Sequence, residues 1–445
     1  IAPSQPVLTA VLSRQLGVSP LLAQCLLNRG LSEPETISGF LAPRLRSLAD
    51  PFALPHMAAA VARLFAARER AEPLVIFGDY DVDGVTSTTL LLEVFGALGW
   101  PANFYLPHRM DEGYGLSQDG VENCLQKFPG TKLLLAVDCG STARETIAWL
   151  NQRGVDVLVL DHHQVSDPPP PALALVNPQL GPADAASFTE LCSAGLAFKL
   201  AHALVKRGRD LGLPAALAYD VRSLLDLVAL GTIADLVPLT GENRILVTAG
   251  LERLNATRRP GLLALKAAAG IEGPIGTYEV GFQLGPRLNA AGRLENAAEA
   301  LNLLLAADLS QAEPIARSLD SRNRERQQIE RTITEEVIGA IRPRFNPERD
   351  YVLVEGQLLW HVGVVGIVAS RVLREFHRPT FILGGDAAEW RGSGRSIQGF
   401  DLAAALRECD DLLLRHGGHA MAAGVSILPD QVPAFRDRLK AIARR

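Results

Sequence analysis

The stretch Gly78-Asp79-Tyr80-Asp81-Val82-Asp83-Gly84 sets three carboxylates at every second position of one short segment. It follows the apolar run Leu74-Val75-Ile76-Phe77, which reads as a short buried strand, and precedes residues 86–95, which read as a helix. The acids therefore fall on a strand-to-helix turn, at the carboxyl end of a strand, where open α/β sheets bind ligands. Acidic groups gathered so closely repel one another unless a cation neutralises them, and hard divalent metals take oxygen ligands from loops of this kind. A metal site is the first expectation.

The pattern recurs. The run 131–137 ends on Asp138-Cys139-Gly140-Ser141 before a helix through Trp149, and the run 155–160 ends on Asp161-His162-His163. The run 224–230, apolar except for Asp226, leads into Gly231-Thr232-Ile233-Ala234-Asp235, expected to be a fourth acidic terminus of the same sort. Alternation of strand and helix from about 70 to 240 predicts a parallel sheet covered on both faces. A lone acid at a strand end is commonly just a helix cap. Four such ends with a His-His pair argue instead for one shared cluster. Carboxylate mixed with imidazole suits manganese, iron, zinc or magnesium, so ligand type does not choose the metal. A pair of ions needs a shared carboxylate, for which Asp83 and Asp138 are the candidates.

Length bounds the rest: 445 residues suffice for two or three domains with sizeable cores. Five scattered cysteines (Cys25, Cys124, Cys139, Cys192, Cys409) form no CxxC pair, which argues against a disulfide framework or a zinc site. With 44 basic and 49 acidic residues the formal charge is 44 − 49 = −5, so any nucleic-acid binding has to come from local basic patches. No run approaches the roughly 18 apolar residues of a membrane span, and no basic-then-apolar leader opens the chain. A cytoplasmic monomer is expected. A G-x-G-x-x-G after the first strand and a Walker lysine are both absent from the sequence, which removes dinucleotide-binding and P-loop readings.

At this point the motifs carry a resemblance. Gly78-Asp-Tyr-Asp-Val-Asp-Gly, Val137-Asp-Cys-Gly, Asp161-His-His and Gly231-Thr-Ile-Ala-Asp-Leu-Val-Pro-Leu resemble, in order, the four motifs of the DHH phosphoesterase superfamily, and most closely its bacterial single-strand-specific 5′→3′ DNA exonucleases. The likeness continues through Gly285-Pro-Arg-Leu-Asn-Ala-Ala-Gly-Arg, His361-Val-Gly-Val-Val-Gly-Ile, Gly392-Ser-Gly-Arg-Ser and Gly417-Gly-His-Ala-Met-Ala-Ala-Gly. The implied fold is α/β: an N-terminal helical segment (1–45), a parallel-sheet DHH catalytic domain (46–309), a connecting helix (310–342) and a smaller α/β DHH-associated domain (343–445).

The resemblance also implies roles. Asp81 would hold one Mn2+ or Mg2+ ion and Asp83 the other, with Asp138 bridging, and His162 and Asp235 completing the second ion's ligands. Many relatives carry a histidine where this chain has Phe77, which makes Asp79 the candidate substitute for the first ion. Asp161 would orient a neighbouring imidazole rather than bind metal, and His163 would face a phosphate oxygen. Arg109 is the candidate phosphate clamp, since guanidinium matches phosphate bidentately. Arg287, Asn289, Arg293, His361, Ser370, Arg371, Ser393, Arg395, Ser396 and His419 are the further phosphate- or DNA-binding candidates. The implied substrate is single-stranded DNA with a 5′ phosphate, degraded to mononucleotides in repair and recombination. A single-strand-binding protein and a helicase are the implied partners.

Ser310-Gln311-Ala312-Glu313 has capping-box spacing and opens a helix expected to reach about Ile341. Ile315 and Leu319 begin an apolar stripe that Ile329, Ile333, Val337 and Ile341 resume, but residues 320–328 contain no apolar side chain. That middle portion is expected to cross solvent as a strut, with Arg322, Arg324 and Arg326 on a solvated face or along a passing strand of DNA.

Overall fold

The computed structural model describes residues 4–108, 112–113, 115–181, 188–294 and 297–445. The chain divides into two compact units, Ile1–Asp320 and Ser321–Arg445. In the first, strands β1 (Leu74–Gly78), β2 (Ala102–Tyr105), β3 (Leu133–Val137), β4 (Asp156–Leu160) and β5 (Ala174–Val176) form one sheet in the order β2-β1-β3-β4-β5. Every pairing is parallel. Leu74, Ile76, Leu133, Leu135 and Val137 face one apolar core, whereas Val75, Phe77, Leu134 and Ala136 face another. Burial on both sides is why these strands read as unbroken apolar runs rather than alternating ones.

Register positions the site. Gly78 pairs with Val137 and Val137 with Leu160, so the residues that follow, Asp79, Asp138 and Asp161, leave the sheet side by side along one edge. Each amide still donates across to the next strand, Asp79 to Val137, Asp138 to Leu160 and Asp161 to Val176.

The segment before Asp235 corrects the sequence reading. Leu225–Ala234 is a helix, and Asp235 caps its C-terminus instead of ending a strand. The helix is buried from Leu225 to Ile233, packed among the helices Val82–Ala97, Ser193–Asp210 and Gly241–Asn255. A helix buried on all sides carries no amphipathic period, so its short run is indistinguishable from a buried strand.

Three short helices, Pro6–Leu16, Pro20–Leu27 and Pro34–Leu41, close a small core of their own around Leu12, Ala23, Leu26 and Ile37. Ser19 caps the second by accepting from the Leu22 amide at 3.2 Å. No single described helix is long and apolar enough to cross a membrane.

Helix Leu309–Ile341 runs across the boundary between the units. Its cap is Asp308, which accepts from the Gln311 amide at 3.0 Å, in place of the expected box at Ser310. Ala312, Ala316 and Leu319 belong to the first unit's core, and Ile333, Val337 and Ile341 to a core of the second. The middle does not cross solvent as a bare strut: Asn323, Arg326 and Glu330 are buried. Arg326 donates to Glu330 and to Asn323, each at 2.6 Å, and Arg371 also pairs with Glu330. The polar stripe is buried with its members paired to one another, leaving Arg326 Nε without a hydrogen-bond partner among the described residues.

The second unit is a mixed sheet of β6 (Leu353–Leu358), β7 (Thr380–Gly385), β8 (Trp390–Arg395), β9 (Arg415–Gly418) and β10 (Ala422–Ile427) in the order β6-β7-β8-β10-β9. Among these described strands, β6 and β7 pair in parallel and the others antiparallel. Helix Val365–Phe376 covers one face, packing through Val365, Val368 and Val372 around Leu353 and Ile382.

Candidate metal centre

Asp81 caps helix Val82–Ala97, its Oδ1 accepting from the Asp83 and Gly84 amides at 2.9 and 3.1 Å. The cap turns Asp83 inward, where it is buried against the start of helix Ser193–Asp210. There Asp83 accepts from the Ser193 and Ala194 amides at 2.7 and 2.8 Å, an acid on the positive end of a helix. The Ser193 hydroxyl donates to Asp138 Oδ1 at 2.9 Å. Gly231 lets the Asp235 helix come in close, since a Cβ there would lie 2.4 Å from Thr86 Oγ1 and 3.0 Å from Asp83 Oδ1. Asp138 itself sits in the left-handed region at φ 64, a conformation uncommon outside glycine and held here by its surroundings.

These elements bring every metal-ligand candidate of the sequence reading together. Oxygens of Asp79, Asp81 and Asp138 lie within 4.8 Å of one another, as do donor atoms of Asp138, His162 and His163, and of Asp83, Cys192 and Asp235. His162 Nε2 is 3.5 Å from Asp138 Oδ1, 3.7 Å from Asp235 Oδ2 and 3.9 Å from Asp83 Oδ2. Both His162 Nε2 and Asp235 Oδ2 are buried without a hydrogen-bond partner among the described residues. Buried polar atoms left in this state are costly unless something else satisfies them, and a cation held between them would.

The electrostatics agree. Burial pushes Asp138 well above the usual carboxylate range, and Asp83, Asp81 and Asp79 push it further. Burial, then Asp83 and Asp81, lift Asp235 to about 8. Asp83 is raised chiefly by burial, against the pull of His162. Burial lowers His162, which favours the neutral imidazole that metals bind. Without positive charge among them these acids resist ionising together; divalent ions reverse that balance.

Asp161 has a different role. Its Oδ1 accepts from the His162 and His163 amides at 2.8 and 3.2 Å and lies 2.7 Å from His163 Nδ1, and its Oδ2 accepts from the Ser141 amide at 3.0 Å. Burial opposes its charge, yet the His163 and Ser141 hydrogen bonds hold it far below the ordinary range. Burial likewise opposes charge on His163, but Asp161 and its acidic neighbours raise that imidazole to about 9. The result is an oriented, positively charged ring at the edge of the cluster.

The sequence reading misses Ser193, Ala194 and Cys192 as members of the site; they lie at or just before the start of helix Ser193–Asp210. Burial pushes the Cys192 thiol far up, and its sulfur contacts Thr232 Oγ1 at 3.5 Å. It also misses Asn177, which donates to Ser141 Oγ and to the His163 carbonyl, both at 2.8 Å. Phe77, the departure from the expected histidine, is buried in the second core and stacked on Tyr105 at 5.5 Å.

The remaining candidates separate. Arg109 lies outside the described residues. Asn289 accepts from the Val82 amide at 3.1 Å and so anchors the acidic loop. Arg287 pairs with Asp320 at 2.9 Å and donates to the Gln283 carbonyl, and Arg293 lies near the end of the same helix, Gly285–Leu294. In the second unit, Ser393 and Arg395 of β8 meet helix Val365–Phe376 at Gly366, where a Cβ would be 3.0 Å from Ser393 Oγ and 3.1 Å from Arg395 Nη2. His361 accepts from the Gly363 amide at 3.1 Å just before that helix. Ser370 bonds the Gly366 carbonyl and Arg371 is paired with Glu330. The Ser396 hydroxyl is spent on the Phe400 carbonyl at 2.7 Å, and His419 is exposed on the β9–β10 turn.

With this geometry the class is defined. The DHH family N-terminal domain matches residues 73–232 and the DHHA1 domain matches residues 349–445. The chain is 40% identical to the single-stranded-DNA-specific exonuclease RecJ of Bacillus subtilis (strain 168) over 97% of its own length and 53% of that protein's. Against the Haemophilus influenzae protein of the same name it is 39% identical over 88% of this chain and 70% of the relative. The crystal structure of RecJ in complex with Mn2+ from Thermus thermophilus superimposes with a TM-score of 0.84 at 35% identity, covering all of this chain and 62% of that one. The chain belongs to the RecJ family. It spans about half the length of the Bacillus relative.

Proposed function

We propose that the chain hydrolyses single-stranded DNA from its 5′ end to mononucleotides, using two divalent cations. The observation that supports this most is the double use of Asp138, whose carboxylate lies within ligand distance of Asp79 and Asp81 on one side and of the two histidines on the other. In this reading Asp79, Asp81 and Asp138 hold one ion, and Asp83, Asp138, His162 and Asp235 the second. Manganese, the ion of the Thermus structure, and magnesium are the candidates. When bound, the pair supplies Lewis-acid stabilisation of charge on the phosphoryl group and a lowered pKa for the attacking water.

The chain's own groups do the rest. His163, held by Asp161 and charged at neutral pH, is placed to steady a phosphate oxygen as negative charge builds. The helix starting at Ser193 fixes Asp83 and Asp138 relative to each other before substrate arrives. Within the second unit, Ser393 and Arg395 beside the start of helix Val365–Phe376 take the 5′ phosphate, which sets polarity. A cytoplasmic monomer, supplied with strands by a single-strand-binding protein and a helicase, fits this role.

Digestion of 5′- and 3′-labelled single strands and duplexes with manganese, magnesium or chelator tests the reading. Mononucleotides are expected first from the 5′ end of single strands, only with metal, and not from Asp138→Ala. Release from the 3′ end first, or undiminished activity in chelator, would overturn it.

A further inference from the structure

Two helices carry the candidate metal ligands at one end and something else at the other. Glu93 lies ten residues beyond Asp83 on helix Val82–Ala97, and Asp226 nine residues before Asp235, so both stand about 15 Å from the cluster at 1.5 Å per residue. There they floor a separate cavity of about 260 Å3 in the first unit.

The floor is rigid. Arg259, only 13% exposed, is clamped by the Glu93 carboxylate, by both oxygens of Asp226 at 3.4 Å and by the Leu304 carbonyl at 3.3 Å. Thr257 Oγ1 donates to Asp226 at 3.0 Å. Gly261 holds the wall close, since a Cβ there would run into the Leu303 carbonyl at 1.9 Å.

The rim is cationic. Arg253 and Arg258 are exposed on it; the nearby Asp220, which feels the charge of Arg253, is itself paired with Arg222. Three arginines against two carboxylates leave one net positive charge on the lining. The nine-residue helix Pro260–Ala268 also starts here, but Pro260 has no N–H and the Leu262 and Leu263 amides bond the Arg259 carbonyl, so only the weak positive field of the helix end is added. Two forked guanidinium groups beside a helix start match the terminal oxygens of a phosphate monoester. Pro260, Leu304 and Ala306 add apolar surface to the lining.

We propose that this cavity binds a nucleoside 5′-monophosphate, with the phosphate between Arg253 and Arg258 and the nucleoside against the apolar part of the lining. Its volume of about 260 Å3 is just below the roughly 300 Å3 at which small-molecule sites begin, which suits a single nucleotide left partly in solvent and not a strand. On the reading above, this is also the class of compound the reaction releases, but the site is separate from the metal cluster and is tested without activity.

The test is calorimetric titration of the full chain with deoxyadenosine 5′-monophosphate in chelator, alongside inorganic phosphate and a twelve-nucleotide single strand. Saturable binding is expected, weakened at least about tenfold in Arg253→Ala/Arg258→Ala through loss of two charge-assisted contacts and unchanged in Asp138→Ala. Both arginines are exposed, and circular dichroism of the double variant shows whether the fold is kept. No saturable binding, equal affinity in the double variant, or loss in Asp138→Ala overturns the proposal. Inorganic phosphate binding as tightly as the nucleotide, or the oligonucleotide displacing it, overturns the assignment to a mononucleotide. A chain that binds the nucleotide but cuts no DNA would sink the proposed nuclease function while leaving this site standing.

Discussion

The Ser193 hydroxyl donates to Asp138 at 2.9 Å while the Ser193 amide donates to Asp83 at 2.7 Å, so one residue at a helix start ties together two buried carboxylates from different strand ends. Ser193→Ala keeps the amide and removes only the hydroxyl. Groups that orient ligands typically change metal affinity by about 10–100-fold. We expect Mn2+ affinity, followed by electron paramagnetic resonance of the free ion, to fall in that range with little change in the far-ultraviolet spectrum. Unaltered affinity would mean that Asp138 needs no such tie.

Removing metal should expose the strain in the cluster. Asp235 has a folded pKa near 8, above its unfolded value, so the native state binds more protons than the unfolded one. Its contribution to stability is present at low pH and is lost as pH rises through about 8. In chelator the protein should therefore melt at a lower temperature at pH 9 than at pH 6, and added Mn2+ should help most at the alkaline end. Asp235→Asn should flatten this dependence and raise the chelated Tm at pH 8.5 by at least about 2 °C. A chelated wild type with a pH-independent Tm would contradict the mutual repulsion of these acids.

Asp161 and His163 attract where those acids repel. The His163 pKa is raised to about 9, so the pairing stabilises the fold fully below the ordinary histidine value and fades as pH climbs through 9. Asp161→Asn should bring the His163 titration, read by nuclear magnetic resonance in chelator, down by at least about one unit toward the usual value near 6.5. Turnover should then decline on the alkaline side at a lower pH than in wild type. A His163 titration that stays put would show that Asp161 does not set its charge.

Glu330 is 1% exposed and pairs with Arg326 and Arg371 at once. Glu330→Ala leaves Arg326, itself buried, without its carboxylate, and breaking a buried pair this way costs about 3–5 kcal/mol. Arg371 is half-exposed and adds little to that loss. Replacing both Glu330 and Arg326 by leucine should recover most of the stability in urea unfolding. A single variant as stable as wild type would show the stripe to be ornamental.

Much of this is legible in the sequence because strand ends announce themselves. Asp79, Asp138 and Asp161 each follow an unbroken apolar run, and parallel register does the rest. Asp235 is legible as a cluster member but not as a helix cap, since a helix buried on every side has no period to read. Ser193 and Asn289 are legible as polar residues but not as partners, because a hydrogen bond to Asp138 or Val82 depends on contacts 55 and 207 residues distant. The buried stripe at Asn323, Arg326 and Glu330 looks like a solvated face because composition reports polarity and not pairing.

The Asn289 tether has a consequence for biosynthesis. The acidic loop emerges from the ribosome more than two hundred residues before the amide of Val82 can meet its partner, and Ser193 and Asp235 also follow later. Translation is sequential, so a nascent or prematurely released chain ending before Asn289 has the acids but not the anchor that sets their loop. The geometry of the acidic loop is therefore completed only once the first unit is almost wholly synthesised.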